Sequence, residues 1–108
     1  MDITTASLNH ATVVTLAGRL DGLSSPALEQ KLDELAAGGA RKIVVDCAPL
    51  QYVSSAGLRV FLAGAKKLKA AGGALVFAAL PPAVQEVFEL SGFTGVLTIH
   101  PTVAAATT

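Results

Sequence analysis

Two adjacent serines, Ser54 and Ser55, are the residues of this chain best placed to do chemistry. They follow a short loop after an apolar run and come directly before a segment with helical periodicity, so they stand at the start of a helix. A helix N-terminus carries unpaired backbone N–H groups and the positive end of the peptide dipole, which favour a phosphate or a carboxylate. A hydroxyl here tolerates an added negative charge, which indicates a regulatory switch more than a catalyst.

Catalytic use of a serine needs groups that the sequence does not offer. A nucleophilic serine requires an adjacent base and a third group that orients the base, and residues 50–59 lack the G-x-S-x-G elbow. The two histidines, His10 and His100, are not spaced with Cys47 or with a carboxylate as a metal set, and no glycine-rich phosphate loop with its lysine is present. We therefore expect no enzyme activity, no metal and no cofactor. A hydrolase with Ser55 as its nucleophile is the remaining catalytic alternative.

The composition restricts the partners. With 108 residues the chain has the size of one domain, which we place at residues 1–100, followed by a short C-terminal tail at residues 101–108. Lys plus Arg and Asp plus Glu number 8 each, so no basic field exists to hold nucleic acid or an anionic membrane. Cys47 is the only cysteine, and neither a leader nor a membrane-spanning run is found, so we expect a cytoplasmic protein.

Two β-favouring runs, at residues 3–8 and 12–17, open the chain. The polar pair Asn9-His10 between them suits a turn, so the sequence predicts an antiparallel hairpin. Gly18 is expected to end the second strand. Because the later strands are joined by helices, this hairpin adds an antiparallel pair to an otherwise parallel sheet.

Three segments have the pattern of amphipathic helices. The first begins after Ser25 as the N-cap, with Pro26 at the first helical position, and ends at Gly38-Gly39. The second runs from residue 55 to residue 71, and Pro81-Pro82 opens the third. The apolar residues of their inner faces are Leu28, Leu32 and Leu35, then Leu58, Phe61, Leu62, Ala65 and Leu68, then Val84, Val87 and Phe88.

Apolar runs at residues 43–45, 74–79 and 96–99 predict three further strands. Strand, helix, strand, helix, strand makes two right-handed parallel crossovers, so the fold class is α/β: a single-domain mixed sheet, with an antiparallel hairpin and parallel crossovers, covered by about four helices. Binding surfaces of such sheets form at the carboxyl ends of the parallel strands. These ends lead into the loop that contains Asp21 and the loop that contains Ser54, so we expect the two loops to share one edge.

Three separated motifs carry a resemblance to a known family. They are GRLD at residues 18–21, VD at 45–46 followed by YVSSAGLR at 52–59, and FELSGF at 88–93. In this order they resemble the STAS domain family, and more closely its stand-alone bacterial anti-sigma factor antagonists. The resemblance extends from the first strand to about residue 99 and implies a STAS-like fold.

The resemblance implies a phosphorylation-controlled partner switch. In that family the unmodified protein binds an anti-sigma factor that is also a serine kinase, and so releases the sigma factor. Phosphorylation of a serine at the start of the second helix breaks the complex, and a serine phosphatase restores it. The acceptor position falls on Ser55, and Asp21 matches an acidic residue that contributes to the partner surface. The positions that the resemblance assigns to partner binding are Asp21, Ser54, Ser55, Ala56, Gly57 and Arg59.

The sequence departs from the family's best-known pattern, in which an acidic residue precedes the acceptor and a second serine follows it. Ser54 and Ala56 occupy those places, so Ser54 is the alternative acceptor. Both serines could also serve only as helix caps, and Asp21 could only close its loop by an Asx-turn. The alternative function is a constitutive STAS subunit of a larger complex, such as a lipid-transport system, without phosphoregulation.

Overall fold

The N-terminal hairpin forms as predicted. In the computed structural model, which describes residues 1–108, β1 (Asp2–Leu8) pairs antiparallel with β2 (Ala11–Leu20). Asn9 and His10 make the two-residue turn, with φ values of 50° and 66°. A type I′ hairpin turn requires positive φ at both central residues, and Asn and His adopt it more readily than most residues.

Helices and strands then follow one another along the chain. The remaining elements are α1 (Ser25–Ala37), β3 (Lys42–Asp46), β4 (Leu50–Val53), α2 (Ser55–Ala70), β5 (Ala74–Ala78), α3 (Pro82–Leu90), a 3-10 turn (Phe93–Gly95), β6 (Ile99–His100) and α4 (Val103–Thr107). The three predicted helices are confirmed. The N-cap of α1 is Ser24 rather than Ser25, and the Ser24 hydroxyl does not cap the helix because it is bound to Arg19 and Asp21.

The second strand does not end at Gly18, so that prediction is wrong. Gly18 has a φ of +105°, and the register of the strand shifts between Gly18 and Arg19. The glycine forms a bulge that bends β2 instead of ending it, and β2 then continues to Leu20 beside β4. The short loop predicted between the apolar run at residues 43–45 and Ser54 is interrupted by a strand, because Leu50–Val53 pairs with the end of β2.

The last strand is shorter than predicted and lies later in the chain. Only Ile99–His100 pairs with β5, opposite Phe77 and Ala78. Residues 96 and 97 belong instead to a turn, because the N–H groups of Val96 and Leu97 both donate to the carbonyl of Phe93. The prediction of a strand over residues 96–99 is therefore corrected to a two-residue strand.

The sheet is mixed, as the fold class predicts, and it has six strands because β4 joins the five that the sequence predicts. Its order is β1-β2-β3-β5-β6, and β4 pairs with the end of β2. The hairpin pair is antiparallel, and all the other pairs are parallel. The carboxyl ends of β2 and β4 consequently lie side by side.

The two faces of the sheet carry separate cores. α1, α2 and α3 cover one face, where the rings of Phe61, Phe77 and Phe88 lie 4.8 to 5.9 Å apart. On the other face, α4 places Ala106 against a smaller cluster that includes Val13 and Val44. Residues 103–107 thus pack on the sheet as a helix, while the division into a domain at residues 1–100 and a tail stays a prediction.

Candidate functional site

The ends of β2 and β4 bring the two predicted loops together. The N–H of Ser54 donates a hydrogen bond of 2.8 Å to the carbonyl of Leu20, the residue directly before Asp21. Leu20 and Val53 are partners in the parallel register of these strands. The predicted sharing of one edge is confirmed. We call the surface formed by Arg19, Asp21, Leu23, Tyr52 and Ser55 the β2–β4 edge.

The two serines occupy different positions at the start of α2. Ser54 is the N-cap, with φ −91° and ψ 174°, and its Oγ accepts a hydrogen bond of 3.3 Å from the N–H of Gly57. Ser55 is the first residue of the helix and is exposed, and its hydroxyl makes no hydrogen bond within the protein. Ser54 is therefore engaged in capping, whereas the Ser55 hydroxyl is open to solvent within the first helical turn.

Gly57 determines how closely the start of α2 approaches the strands. A Cβ at this position would lie 2.8 Å from Cδ2 of Leu20 and 2.9 Å from Cγ2 of Val53, closer than Cβ atoms pack. The missing side chain thus allows α2 to begin directly against the ends of β2 and β4. Of the other predicted partner-binding residues, Ala56 is half-buried and Arg59 is exposed one turn beyond Ser55.

Asp21 organises the loop that follows β2. Its Oδ1 accepts hydrogen bonds from the N–H groups of Leu23 (3.0 Å) and Ser24 (3.2 Å), and its own N–H donates to the Ser24 Oγ (2.9 Å). The pKa of the Asp21 carboxyl is lowered from its usual value, mainly by the hydrogen bond from the Ser24 N–H. Partial burial acts in the opposite direction and raises this pKa, whereas the charge of Arg19 lowers it slightly further. The Asx-turn that the sequence left open is therefore present, and it holds an ionised carboxylate.

A second serine pair, at the start of α1, provides a contrast. The Oγ of Ser24 donates to the carbonyl of Arg19 at 2.8 Å, and the Oγ of buried Ser25 donates to the carbonyl of Asp21. Both hydroxyls hold the loop closed. Among the serines that begin α1 and α2, only Ser55 combines an exposed hydroxyl with the lack of a hydrogen-bond partner in the protein.

Two residues outside the predicted set complete the surface. Arg19 and Tyr52 are partners across β2 and β4, and the Arg19 guanidinium lies 4.2 Å from the centre of the Tyr52 ring. Both residues are exposed, and a cation–π pair at an exposed position contributes about 0.5 to 1 kcal/mol. No sequence signal points to this pair, because it depends on the register of the unpredicted strand β4.

Neither Cys47 nor a metal-binding cluster adds to the site. Cys47 is fully buried, and burial, followed by the nearby charge of Asp46, raises the pKa of its thiol. No group of three or more His, Cys, Asp and Glu side chains is placed to hold a metal ion. None of the helices has both the length and the hydrophobicity that a membrane crossing requires. No side-chain base is hydrogen-bonded to the Ser55 hydroxyl, which is exposed at the start of α2.

Comparisons with known proteins agree with this architecture. A family model described as "Mlab, STAS domain" matches residues 3–99. BtrV of Bordetella bronchiseptica, provisionally named an anti-sigma factor antagonist, is 37% identical over 99 residues, which cover 92% of this chain and 85% of that protein. The anti-sigma-B factor antagonist of Bacillus subtilis is 33% identical over 86 residues, which cover 80% of this chain and 78% of the relative. The chain therefore belongs to the STAS domain family.

Solved structures have the same fold. An anti-sigma factor antagonist from Mycobacterium paratuberculosis superimposes with a TM-score of 0.89 at 25% identity, over 97% of this chain and 89% of that one. The Bacillus cell fate determinant SpoIIAA, in its phosphorylated form, superimposes with a TM-score of 0.73 at 20% identity, over 96% of each chain. The STAS-like α/β fold and the family resemblance predicted from the sequence are both confirmed.

Proposed function

We propose that the protein is an anti-sigma factor antagonist that works as a phosphorylation-controlled partner switch. The unmodified form binds an anti-sigma factor with serine kinase activity and thereby releases the sigma factor. The kinase transfers the γ-phosphoryl group of ATP to Ser55: a bond forms between Oγ and phosphorus, the bond to the ADP oxygen breaks, and a base of the kinase takes the hydroxyl proton. A serine phosphatase hydrolyses the phosphoester and restores binding.

The exposed and unengaged hydroxyl of Ser55 is the observation that carries this proposal. Ser54, the alternative acceptor, caps α2 through the N–H of Gly57, so its modification would disturb a cap that contributes about 1 kcal/mol. At Ser55 the helix dipole favours an added negative charge by about 0.3 to 1 kcal/mol. The relatives named as anti-sigma factor antagonists support the class of partner, and the phosphorylated form of SpoIIAA supports the kind of modification.

The charge of a phosphate explains how modification breaks the complex. The proposed partner surface consists of Asp21, Ser54, Ser55, Ala56, Gly57 and Arg59. A phosphoserine adds about −1.5 to −2 charges at neutral pH, on the surface that also carries the ionised Asp21. An interface fitted to a neutral hydroxyl must desolvate this phosphate, and every ~1.4 kcal/mol of lost binding free energy weakens affinity tenfold. The antagonist itself need not refold, because the start of α2 accommodates the negative charge.

Mass spectrometry identifies the acceptor. The protein is incubated with ATP and with each anti-sigma factor kinase that the source genome encodes, and phosphate is expected on Ser55. Ser54→Asn keeps an N-capping side chain but removes the alternative hydroxyl, so the modification should persist in this variant and disappear in Ser55→Ala. Phosphate on Ser54 would correct the acceptor, and a protein that no kinase modifies would contradict the switch.

Binding tests the consequence of modification. Ser55→Ala removes the acceptor but keeps a small neutral side chain, so it should bind the anti-sigma factor as the unmodified protein does. Ser55→Asp places a carboxylate at the acceptor position, and we expect its Kd to rise about a hundredfold, equivalent to ~2.7 kcal/mol. Calorimetry or surface plasmon resonance measures both values. Equal affinity of the two variants would count against phosphorylation as the control.

The description of the matching family model favours a second candidate function. That description names Mlab and not an anti-sigma factor antagonist, so a constitutive STAS subunit of a larger complex, such as a lipid-transport system, remains the alternative. This candidate predicts stable co-purification with membrane components and an unmodified Ser55 in cells. Phosphoserine at residue 55 in extracts of the source organism would exclude it.

A further inference from the structure

Leu23 is the most exposed large apolar residue of the chain, with 94% of its surface open to solvent. A single exposed leucine is common on protein surfaces, and Leu90 of α3 is also 81% exposed. Both leucines stand on a hydrogen-bonded backbone, and what sets Leu23 apart is that its loop belongs to the β2–β4 edge, whereas Leu90 ends α3.

Hydrogen bonds fix the loop on both sides of Leu23. The Leu23 N–H donates to Oδ1 of Asp21 at 3.0 Å, and the Ser24 Oγ donates to the carbonyl of Arg19 at 2.8 Å. The N–H of Ser25 donates to the carbonyl of Asp21 at 2.9 Å, which ties the loop to the start of α1. An apolar side chain on an ordered backbone loses less conformational entropy when a partner covers it. The loop therefore presents Leu23 as a preorganised contact.

The surroundings of Leu23 suit an apolar contact bordered by charged side chains. An open groove of about 540 Å³ lies beside it, and the apolar residues that line this groove are Met1, Ile3, Leu23 and Ala27. The charged side chains of Arg19 and Asp21 also line the groove, and Arg19 stacks on Tyr52. The hydrogen bond from Ser54 to Leu20 joins this loop to the start of α2, so a partner that covers Ser55 lies next to the groove.

We propose that Leu23 is the apolar anchor of the contact with the anti-sigma factor, and that Asp21 is a positioning residue that acts through Leu23. This inference rests on the proposed function. The partner supplies an apolar pocket for the leucine and an acidic side chain within reach of Arg19. The Oδ1 of Asp21 accepts hydrogen bonds from the N–H groups of Leu23 and Ser24, and through these bonds the carboxylate orders the loop.

Two matched truncations test the anchor. The probe is the anti-sigma factor that binds Ser55→Ala, and its Kd is measured with Leu23→Ala and with Leu90→Ala. Truncation of a hot-spot side chain weakens binding about 30-fold or more, which we expect for Leu23→Ala. Leu90→Ala removes an almost equally exposed leucine outside the loop and should leave the Kd unchanged. A Kd for Leu23→Ala within about threefold of the wild-type value overturns the anchor.

Asp21→Asn and Asp21→Ala separate positioning from charge. Asn keeps an oxygen that accepts the two loop N–H groups but carries no charge, whereas Ala removes both. If Asp21 positions Leu23, Asp21→Asn binds close to wild type, Asp21→Ala binds as weakly as Leu23→Ala, and the double variant with both alanines is no weaker than either. An Asp21→Asn protein that binds as weakly as Asp21→Ala overturns the positioning role, because the partner then contacts the charge.

The order of the loop is tested without a partner. Backbone ¹⁵N relaxation of the Leu23 and Ser24 amides should show an ordered loop in the wild type and in Asp21→Asn, and picosecond to nanosecond motion in Asp21→Ala. A loop that stays ordered in Asp21→Ala overturns the positioning role of Asp21.

The outcomes distinguish this inference from the proposed function. The proposed function fails if Ser55→Asp binds as well as Ser55→Ala, or if no anti-sigma factor binds the wild-type protein. If no anti-sigma factor binds, the role of Leu23 as an anchor is overturned as well. When only the inference fails, the two Ser55 variants remain distinct and Leu23→Ala binds normally.

Discussion

Single residues at the β2–β4 edge are used in two different ways. The side chains of Ser54, Ser24 and Asp21 bind backbone groups and thereby stabilise the helix start and the loop. The hydroxyl of Ser55 binds no group of the protein, and Leu23 is open to solvent. A change at Ser55 or Leu23 therefore alters the surface that a partner meets, whereas a change at Ser54 or Asp21 alters the backbone that supports this surface.

Acid should remove the stabilisation that the charged carboxyl of Asp21 adds to the loop. The pKa of this carboxyl is lower in the folded protein than the ordinary value of about 3.9, chiefly because the Ser24 N–H binds the charged form. Stabilisation from a lowered pKa is complete above about pH 4 and is lost as the pH falls through the folded-state pKa. In an NMR titration we expect the Asp21 carboxyl carbon to titrate below about pH 3.9, with the Leu23 amide shift following it. A higher midpoint, or the same amide response in Asp21→Asn, would contradict this.

Cys47 should be unreactive in the native protein. Its side chain is 0% exposed, and burial raises the pKa of the thiol, with a further contribution from Asp46. The thiolate is the reactive form, so we expect no measurable reaction with Ellman's reagent in buffer and full reaction of one thiol per chain in denaturing guanidinium. Rapid reaction of the native protein would show that the segment around β3 opens readily.

Among the elements, the first turn of α2 and the ends of β2 and β4 form one packed unit. Gly57 allows the contact, and the hydrogen bond between Ser54 and Leu20 holds the strand end beside the helix start. The position of Ser55 therefore depends on how closely the start of α2 packs against the ends of β2 and β4. A shift of α2 away from the strands would move the acceptor relative to the loop of Asp21.

Gly57→Ala tests this packing. The new Cβ would lie 2.8 Å from both Cγ and Cδ2 of Leu20, and the helix start must move to avoid it. We expect the free energy of unfolding to fall by about 1 to 3 kcal/mol, despite the better helix propensity of alanine. The matched control is Gly22→Ala, where a Cβ meets nothing within 4 Å, and its effect should be smaller than about 0.5 kcal/mol. Urea unfolding measures both, and equal effects would contradict the close approach.

The long elements can be predicted from the sequence, and the short strand β4 cannot. The hairpin, α1 and α2 each extend over many residues with a regular apolar period or a recognisable turn. β4 has four residues, and its buried positions, Leu50 and Val53, are three apart, so the alternation of a strand is missing. Gly18 misleads as well, because a glycine marks a bulge as readily as the end of a strand.

The candidate site, like the fold, can be predicted only in part from the sequence. The serine pair and Asp21 can be found because a helix start and the carboxyl edge of a parallel sheet are both visible in the sequence. The difference between Ser54 and Ser55 depends on the residue at which α2 begins, and sequence patterns do not locate the start of a helix to a single residue. The pairing of Arg19 with Tyr52 depends on β4, so no pattern in the sequence reveals it.

The whole molecule has two cores of very different size. One face of the sheet carries a cluster of 19 buried residues beneath three helices, and the other carries a cluster of 6 to which α4 contributes Ala106. No residue of α4 belongs to the large cluster. Since the large cluster also contains Leu20, Val53 and Leu58, the core that supports the β2–β4 edge is independent of α4.

Deletion of residues 101–108 should therefore weaken the protein without unfolding it. Removal of α4 uncovers the small cluster, which includes Val13, Val44 and Val76. We expect the free energy of unfolding to fall by about 1 to 3 kcal/mol, with a single cooperative transition and increased binding of the dye ANS. Thermal and urea unfolding measure the stability, and binding of the anti-sigma factor should be retained.

Ala106→Asp and Ala104→Asp test whether α4 packs on the sheet. Ala106 is 0% exposed, so an aspartate there must either bury its charge or detach the helix, and detachment limits the loss to that of the deletion. Ala104 is exposed on the same helix, and the same substitution should change stability by less than about 0.5 kcal/mol. Equal stabilities of the two variants would mean that α4 does not dock on the sheet. A deletion variant that fails to fold would mean that the small cluster is as essential to the fold as the large one.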